Sequence, residues 1–171
     1  MGKELSKNEE ETIRAFFFLH DPPIEELAKK LTGTLVDKKG DTTDVPDPRF
    51  ISKLKSIGIR KVTNMLVDLA KAMRLDYTEP KTYSQKKNGI LKTFNFINNT
   101  YVYIVFTFKL GPVAWFVHND TECPRCQVGG DCYQILEIVE EERNLVVPPN
   151  IAREGTSKKA EWLFNELLNE E

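Results

Sequence analysis

A chain of 171 residues with 40% hydrophobic and 29% charged side chains has a globular balance, which excludes wholesale disorder and a fibrous repeat. No apolar stretch approaches the roughly 20 residues needed to cross a bilayer, and acidic residues precede the short run Ala15–Leu19, unlike a secretory signal. We therefore expect a soluble, cytoplasmic protein that forms one compact unit and does not enter a membrane.

The net charge of −2 is distributed unevenly along the chain. Residues 51–110 carry 11 basic and 3 acidic side chains, a net charge of +8, whereas residues 1–50 carry −3 and residues 111–171 carry −7. Such asymmetry indicates a polyanion-facing segment within an otherwise acidic protein. The alternative is a solvated basic face, or one that pairs with the acidic C-terminal part.

The first third of the chain has the spacing of short helices. Apolar residues three and four positions apart predict helices over Asn8–His20 and Ile24–Leu31. The polar segment Gly33–Pro48 is rich in Asp, Gly and Pro and predicts a loop. A third helix is expected over Arg49–Ser56, with a turn at Gly58.

The fourth predicted helix, Ile59–Leu75, has the clearest pattern in the chain. Its apolar stripe consists of Ile59, Val62, Leu66, Leu69 and Met73. Its opposite face carries Arg60, Lys61, Asn64, Asp68 and Lys71. One face should therefore enter a core, and the other should meet solvent or a charged partner.

Two hairpins are predicted next. Asp76–Gln85 and Ile90–Ile97 are expected to be strands joined through Lys86-Lys87-Asn88-Gly89, because Asn-Gly supplies the positive φ angles of a tight turn. A second hairpin is predicted over Thr100–His118, rich in β-branched and aromatic residues, with its turn at Lys109-Leu110-Gly111. The first hairpin would carry two lysines at its tip.

The C-terminal part is predicted to be helical. One helix is expected over Tyr133–Arg143, and Pro148-Pro149 then breaks the chain. Ser157 is expected to cap a last helix. The apolar stripe of that helix would pack on the core or on another subunit and consists of Ala160, Leu163, Phe164 and Leu167.

Short helices, a longer helix with a basic face and a lysine-tipped hairpin follow one another in the order of a winged helix. IEELAKKLTG resembles the supporting helix of bacterial and archaeal winged-helix regulators, and IRKVTNMLVDLAKAMRLDY resembles their recognition helix running into the first wing strand. The resemblance covers about Asn8 to Ile97. It implies a transcriptional regulator that binds double-stranded DNA.

That resemblance implies a role for each basic residue. Arg60 and Asn64 would reach base edges, since Arg suits guanine and Asn suits adenine in two-point hydrogen bonding. Five lysines would contact phosphates, where charge matters more than geometry: Lys61, Lys71, Lys86, Lys87 and Lys92. An ordinary exposed helix face is the alternative for the helical residues.

All three cysteines lie within ten residues, at Cys123, Cys126 and Cys132, which predicts a metal site. With His118 as a fourth ligand they would form a closed zinc site; Asp120, Glu122, Asp131 or His20 could replace the histidine. An iron–sulfur cluster is the first alternative, because the spacing is similar to that of some iron–sulfur redox regulators. A disulfide, Cys123–Cys126 or Cys126–Cys132, is the second and is less expected in the cytoplasm.

No catalytic motif is apparent, so we do not expect an enzyme. The two histidines, His20 and His118, are far apart, and Gly129-Gly130 lacks the strand and lysine of a phosphate-binding loop. An alternative to DNA binding is a protein–protein module that docks on RNA polymerase or another protein of the transcription or translation machinery. The order of winged helix and cysteine cluster resembles that of the archaeal transcription factor E beta subunit and its RNA polymerase III relatives.

Together these patterns predict an α+β fold: a winged helix-turn-helix with an extra β-hairpin and C-terminal helices around a cysteine-rich metal site. The expected divisions are a winged-helix domain over residues 1–97, the additional hairpin over 98–120, and the metal-site segment with the C-terminal helices over 121–171. A homodimer through the last helix or the second hairpin is expected.

Overall fold

A computed structural model describes residues 4–37, 39–42, 46–77, 89–117 and 129–169. Within these residues the fold is α+β, as expected, with six helices and a three-stranded antiparallel sheet. The chain divides into two compact units, Met1–Met65 and Leu66–Glu171, each described separately below. In the described ranges, no helix has the length and apolar character needed to cross a membrane.

The first unit begins with helix α1, Lys7–Phe18, and helix α2, Ile24–Lys30. Both lie where the apolar spacing predicted them. Ser6 starts α1 through a capping box: its hydroxyl accepts a hydrogen bond from the Glu9 amide at 3.2 Å, and its own amide donates to the Glu9 carboxylate at 2.9 Å. This reciprocal pair satisfies two amides that the first helical turn would otherwise leave without acceptors.

The polar segment after α2 is held against α1 by one side chain. The Asn8 amide group donates to the Val36 carbonyl at 2.6 Å and accepts from the Val36 amide at 2.9 Å. Val36 also forms an isolated antiparallel bridge with Thr42. The predicted loop is therefore anchored at its start, although residue 38 and residues 43–45 lie outside the described part of the chain.

Helix α3 runs without interruption over Pro48–Ala72, so the predicted turn at Gly58 and the division into two helices are wrong. Gly58 lies inside the helix, where a Cβ atom would stand 2.4 Å from Cγ1 of Ile13. Glycine in a helix interior costs roughly 1 kcal/mol relative to alanine, but here it permits α1 and α3 to approach closely. Long-range packing therefore overrides the local preference that predicted the break.

The second unit contains the sheet, with strands β1 (Ile90–Asn95), β2 (Thr100–Thr107) and β3 (Gly111–Phe116) in the order β1-β2-β3. Strands β2 and β3 form the predicted second hairpin. Strand β1, predicted as part of the wing, also pairs with β2. Asp76 bridges to Phe94 of β1, but residues 78–88, which include the predicted wing tip, lie outside the described residues.

Helices α4 (Gly129–Arg143), α5 (Pro149–Ala152) and α6 (Thr156–Asn169) complete this unit. Helix α6 begins at Thr156, so Ser157 lies in its first turn instead of capping it, which corrects the sequence prediction. The predicted apolar stripe of α6 is buried in the core of this unit together with sheet and α4 residues. That stripe is consequently occupied within the chain, and a homodimer would need another surface.

The end of α4 holds the sheet through its last two side chains. The Glu142 carboxylate accepts hydrogen bonds from the amides of Phe108, at 2.9 Å, and Lys109, at 3.1 Å, in the turn between β2 and β3. The buried Arg143 guanidinium donates to the Phe106 carbonyl at 2.8 Å. A second link joins the helices, because Lys159 of α6 pairs with Glu140 of α4 at 2.8 Å.

Candidate nucleic-acid interface

One side of α3 presents an exposed row of polar side chains. Ile51, Leu54 and Val62 are buried on the other side of the helix, which leaves the row pointing to solvent. We call the row the α3 face, and it consists of Arg49, Lys53, Arg60 and Asn64. At 1.5 Å rise per residue, the four positions span roughly 22 Å of the helix axis.

The α3 face includes two cations that the sequence prediction missed. The sequence pattern places Arg49 and Lys53 in a separate third helix, and that division hides their alignment with Arg60 and Asn64. The spacing between the four residues, 4, 7 and 4 positions, keeps them on one side of a single helix. The uninterrupted helix adds two positive charges to the predicted pair.

Lys61 is engaged within the first unit. Its ammonium group lies 2.6 Å from a Glu9 carboxylate oxygen and 3.1 Å from the Glu4 carbonyl, with the Glu9 side chain 8% exposed. Burial raises the pKa of Glu9, but hydrogen bonds from Lys61 and Ser6, with the Lys61 charge, more than offset it and leave that pKa below its ordinary value. Lys61 therefore stabilises the packing of α1 on α3 and contributes less charge to the surface than predicted.

Lys71 is also exposed, in the last turn of α3, and the exposed Asp68 precedes it. An aspartate on such a surface repels phosphate unless a cytosine amino group donates to it. Lys86 and Lys87 lie outside the described residues. Of the seven residues predicted to contact DNA, Arg60 and Asn64 thus share the α3 face, and Lys71 follows them on the same helix.

Lys92 lies in a different setting, on β1 of the second unit. Its ammonium group stands 4.4 Å from the centroid of the Tyr101 ring and 6.0 Å from that of Tyr103. These residues line a groove between the sheet and the first turns of α6, which we call the sheet groove; its volume is about 430 Å³. Trp115 and Glu161 also line it.

The geometry of Tyr103 follows from its place in this groove. Its ring stacks on Phe164 of α6, with centroids 5.1 Å apart, and is 8% exposed. Burial raises the pKa of its hydroxyl, and the negative charge of Glu161 and the neighbouring Tyr101 raise that pKa further. A tyrosine hydroxyl with its ordinary pKa is already protonated at neutral pH, and the upward shift leaves the Tyr103 hydroxyl a hydrogen-bond donor.

One of the four predicted metal ligands lies in a described part of the chain. Cys132 is in the first turn of α4 and packs, partly buried, against the core of the second unit. His118, Cys123 and Cys126 lie outside the described residues. Within the described ranges, no three His, Cys, Asp or Glu side chains are grouped closely enough to hold a metal ion.

Comparison of the chain with protein-family models, with curated proteins and with solved structures found no match. A function is therefore inferred from the α3 face, the sheet groove and the cysteine cluster themselves.

Proposed function

We propose that the chain is a DNA-binding regulator of the winged-helix type and that it contacts double-stranded DNA through the α3 face. The observation that carries the proposal is the uninterrupted helix α3, which aligns three exposed cations with Asn64 on one side. The major groove of B-DNA admits a helix, and cations along the helix can neutralise phosphates on both sides of the groove.

Residues of the α3 face would divide between base edges and phosphates. Arg60 and Asn64 are one helical turn apart, so their side chains can reach neighbouring base pairs from one helix. Arg49 and Lys53, farther towards the N-terminus, would contact the phosphate backbone. Lys71, Lys86 and Lys87 remain proposed phosphate contacts. Lys92, which was predicted with them, lies against two tyrosine rings of the sheet groove, and we assign it to a separate role.

The test is binding of the full chain to a labelled, mixed-sequence duplex, measured by fluorescence anisotropy over a salt series. Affinity should fall steeply with salt, because each phosphate contact releases counterions. Arg49→Ala/Lys53→Ala should lower the slope of log K against log salt by about two, at roughly 0.9 per phosphate contact. Arg60→Ala should also relax base preference, by a factor of roughly 10 at one position.

Lys109→Ala is the matched control, because Lys109 is an exposed lysine in the turn between β2 and β3, away from α3 in the chain. It should bind with the salt slope of the parent protein. Undetectable binding to mixed duplex at low salt would overturn the proposal. An unchanged slope in Arg49→Ala/Lys53→Ala would show that the α3 face is not the contact surface.

The second candidate function is a protein–protein module that docks on a component of the transcription or translation machinery. Phe96 and Ile97 favour it: in the turn between β1 and β2 they are 73% and 90% exposed, and adjacent large apolar side chains at that exposure are typical of contact surfaces. The full chain should then capture a partner protein even after nuclease treatment. A Phe96→Ser/Ile97→Ser variant that loses this partner but keeps duplex binding would support the function.

We also propose that the cysteine cluster holds a metal ion, zinc in preference to an iron–sulfur cluster. Three thiols and one imidazole are ligands that zinc prefers, and Cys132 stands at the start of α4, where the positive end of a helix favours a thiolate. A zinc ion there would join the end of the β2–β3 hairpin to α4. Its contribution would be stability, since a closed site leaves no position for substrate.

A further inference from the structure

The sheet groove has an aromatic wall built by neighbouring strands. Lys92, Tyr103 and Trp115 are direct partners across β1, β2 and β3, and Tyr101 lies next along β2. Phe164 contacts both Tyr103 and Trp115, with ring centroids 5.1 and 5.8 Å away. This support fixes the two rings, whereas Tyr101 is 49% exposed at the mouth of the groove. Lys92 lies over the Tyr101 ring, 4.4 Å from its centroid, and Phe94 meets that ring edge-on at 5.2 Å. The inner part of the wall is therefore preformed, and the exposed part of the Tyr101 ring is what remains for stacking.

Cationic and polar groups surround that wall. Lys92 is exposed and, within the part of the chain that the structure describes, has no carboxylate partner. Lys158 and Glu161, on the first turns of α6, pair with each other at 3.2 Å and line the groove with Asn165. Among the described residues that line the groove, the charges sum to one positive charge. Glu161 and Asn165 supply hydrogen-bond acceptors for hydroxyl or amino groups.

We propose that the sheet groove binds a nucleotide, with its base against the Tyr101 ring and its phosphate at Lys92. Stacking on an aromatic ring accepts any planar base, and an ammonium group beside the ring supplies the charge that a phosphate needs. The volume of about 430 Å³ lies within the range of roughly 300–1,000 Å³ that is common for small-molecule sites. Tyr103, whose hydroxyl stays protonated, and Glu161 would bind the sugar hydroxyls.

This site is distinct from the α3 face, because its residues all belong to the unit Leu66–Glu171, whereas Arg49, Lys53, Arg60 and Asn64 belong to Met1–Met65. The same chemistry can come from two sources, a free nucleotide or one nucleotide of a single strand. Both supply a planar base together with a phosphate. The experiment therefore contains an arm for each source.

Tryptophan fluorescence of the full chain provides the measurement. The chain has two tryptophans, and a Trp162→Phe background leaves Trp115 in the groove wall as the sole reporter. Adenosine monophosphate should quench or shift its emission saturably, and ribose 5-phosphate, which lacks the base, should bind at least roughly tenfold more weakly, as loss of base stacking predicts. An oligothymidylate of eight residues that binds at least tenfold more tightly than thymidine monophosphate would identify a single strand as the source; equal affinities would identify the free nucleotide.

Four variants complete the test. Lys92→Ala and Tyr101→Ala should each weaken nucleotide binding by roughly tenfold or more, through loss of a charge-assisted contact and of stacking. Lys92→Arg and Tyr101→Phe keep the charge and the ring and should retain binding, which separates recognition from a folding defect. Nucleotide binding that is absent, or equal in Lys92→Ala and its parent, would overturn the proposal.

The outcome is separable from that of the proposed function. Arg60→Ala should leave nucleotide binding unchanged, and Tyr101→Ala should leave the salt slope of duplex binding unchanged. Loss of nucleotide binding in Arg60→Ala would count against a distinct groove site.

Discussion

The ammonium group of Lys61, in the middle of α3, lies 2.6 Å from the carboxylate of Glu9, in the first turn of α1. The two residues are 52 positions apart in sequence, and Glu9 also closes the capping box with Ser6. One carboxylate thus both starts a helix and joins it to the helix that carries the α3 face.

Lys61→Ala should lower the free energy of unfolding by about 1–3 kcal/mol, because it leaves Glu9 buried without its cation. Urea unfolding followed by circular dichroism measures the change. Arg14→Ala is the matched control, since it removes the cation of an exposed pair with Glu10, and it should cost less than about 1 kcal/mol. Equal costs for the two variants would contradict the structural role assigned to Lys61.

The same pair gives stability a pH dependence. The folded-state pKa of Glu9 lies below its ordinary value of 4.5, so its contribution is fully present above that pH and is lost as pH falls through the lowered value. At pH values below 4.5, the urea concentration at the unfolding midpoint of the parent should therefore decrease. The difference in midpoint between the parent and Glu9→Gln should shrink over the same pH range. A difference that stays constant from pH 7 to pH 3 would refute this assignment.

Gly58→Ala should be destabilising, by roughly 1–3 kcal/mol, even though alanine is the better helix former, because the added methyl group would stand 2.4 Å from Ile13. The cost should be smaller in an Ile13→Ala background, where that contact is gone, and a double-mutant cycle measures the coupling. Ser56→Ala, at an exposed position of α3, should change stability by less than about 0.5 kcal/mol. Additive effects in the cycle would mean that the two residues do not touch.

Glu142→Ala should speed hydrogen exchange at the amides of Phe108 and Lys109, which donate to its carboxylate, and should cost about 1–3 kcal/mol of stability. Amide exchange followed by nuclear magnetic resonance measures the first effect and urea unfolding the second. Glu141→Ala, one residue earlier and exposed, should leave both amides protected. Equal exchange rates of these two amides in Glu142→Ala and Glu141→Ala would contradict the role assigned to Glu142.

The metal proposal predicts about one zinc ion per chain and a colourless protein, measured by elemental analysis and absorption spectroscopy. Cys132→Ser should lose most of the metal. If the protein holds no metal, the same substitution should change little beyond the packing around residue 132. Iron with absorption near roughly 400 nm would identify the iron–sulfur alternative. Absence of both metals in protein purified without chelators would exclude a metal site.

Local patterns were sufficient for much of the fold. The spacing of apolar residues predicted α1, α2 and the stripe of α6, and β-branched and aromatic residues predicted the β2–β3 hairpin. The break at Gly58 was predicted wrongly because a glycine's helix penalty is local, whereas the contact with Ile13 that compensates for it is 45 positions away in sequence.

The candidate site shows the same limit. Arg60 and Asn64 could be placed on one face from spacing alone, but Arg49 and Lys53 join them only when the helix is continuous. The residues next to Lys61 in sequence do not indicate that its partner is Glu9. The residues next to Lys92 likewise do not indicate that its ammonium group contacts the rings of Tyr101 and Tyr103. Long-range pairing decides which lysines remain available to a ligand.

The hydrogen bonds between the end of α4 and the sheet affect how the second unit folds. Arg143 bonds to the carbonyl of Phe106, and Glu142 to the amides of Phe108 and Lys109, so the hairpin's hydrogen bonds are completed by residues more than 30 positions later. A fragment that ends after β3 would lack these partners and the helical half of the core. Sheet and helices should therefore form in a single cooperative transition, and ribosome-bound chains should not acquire a stable sheet before α4 has emerged.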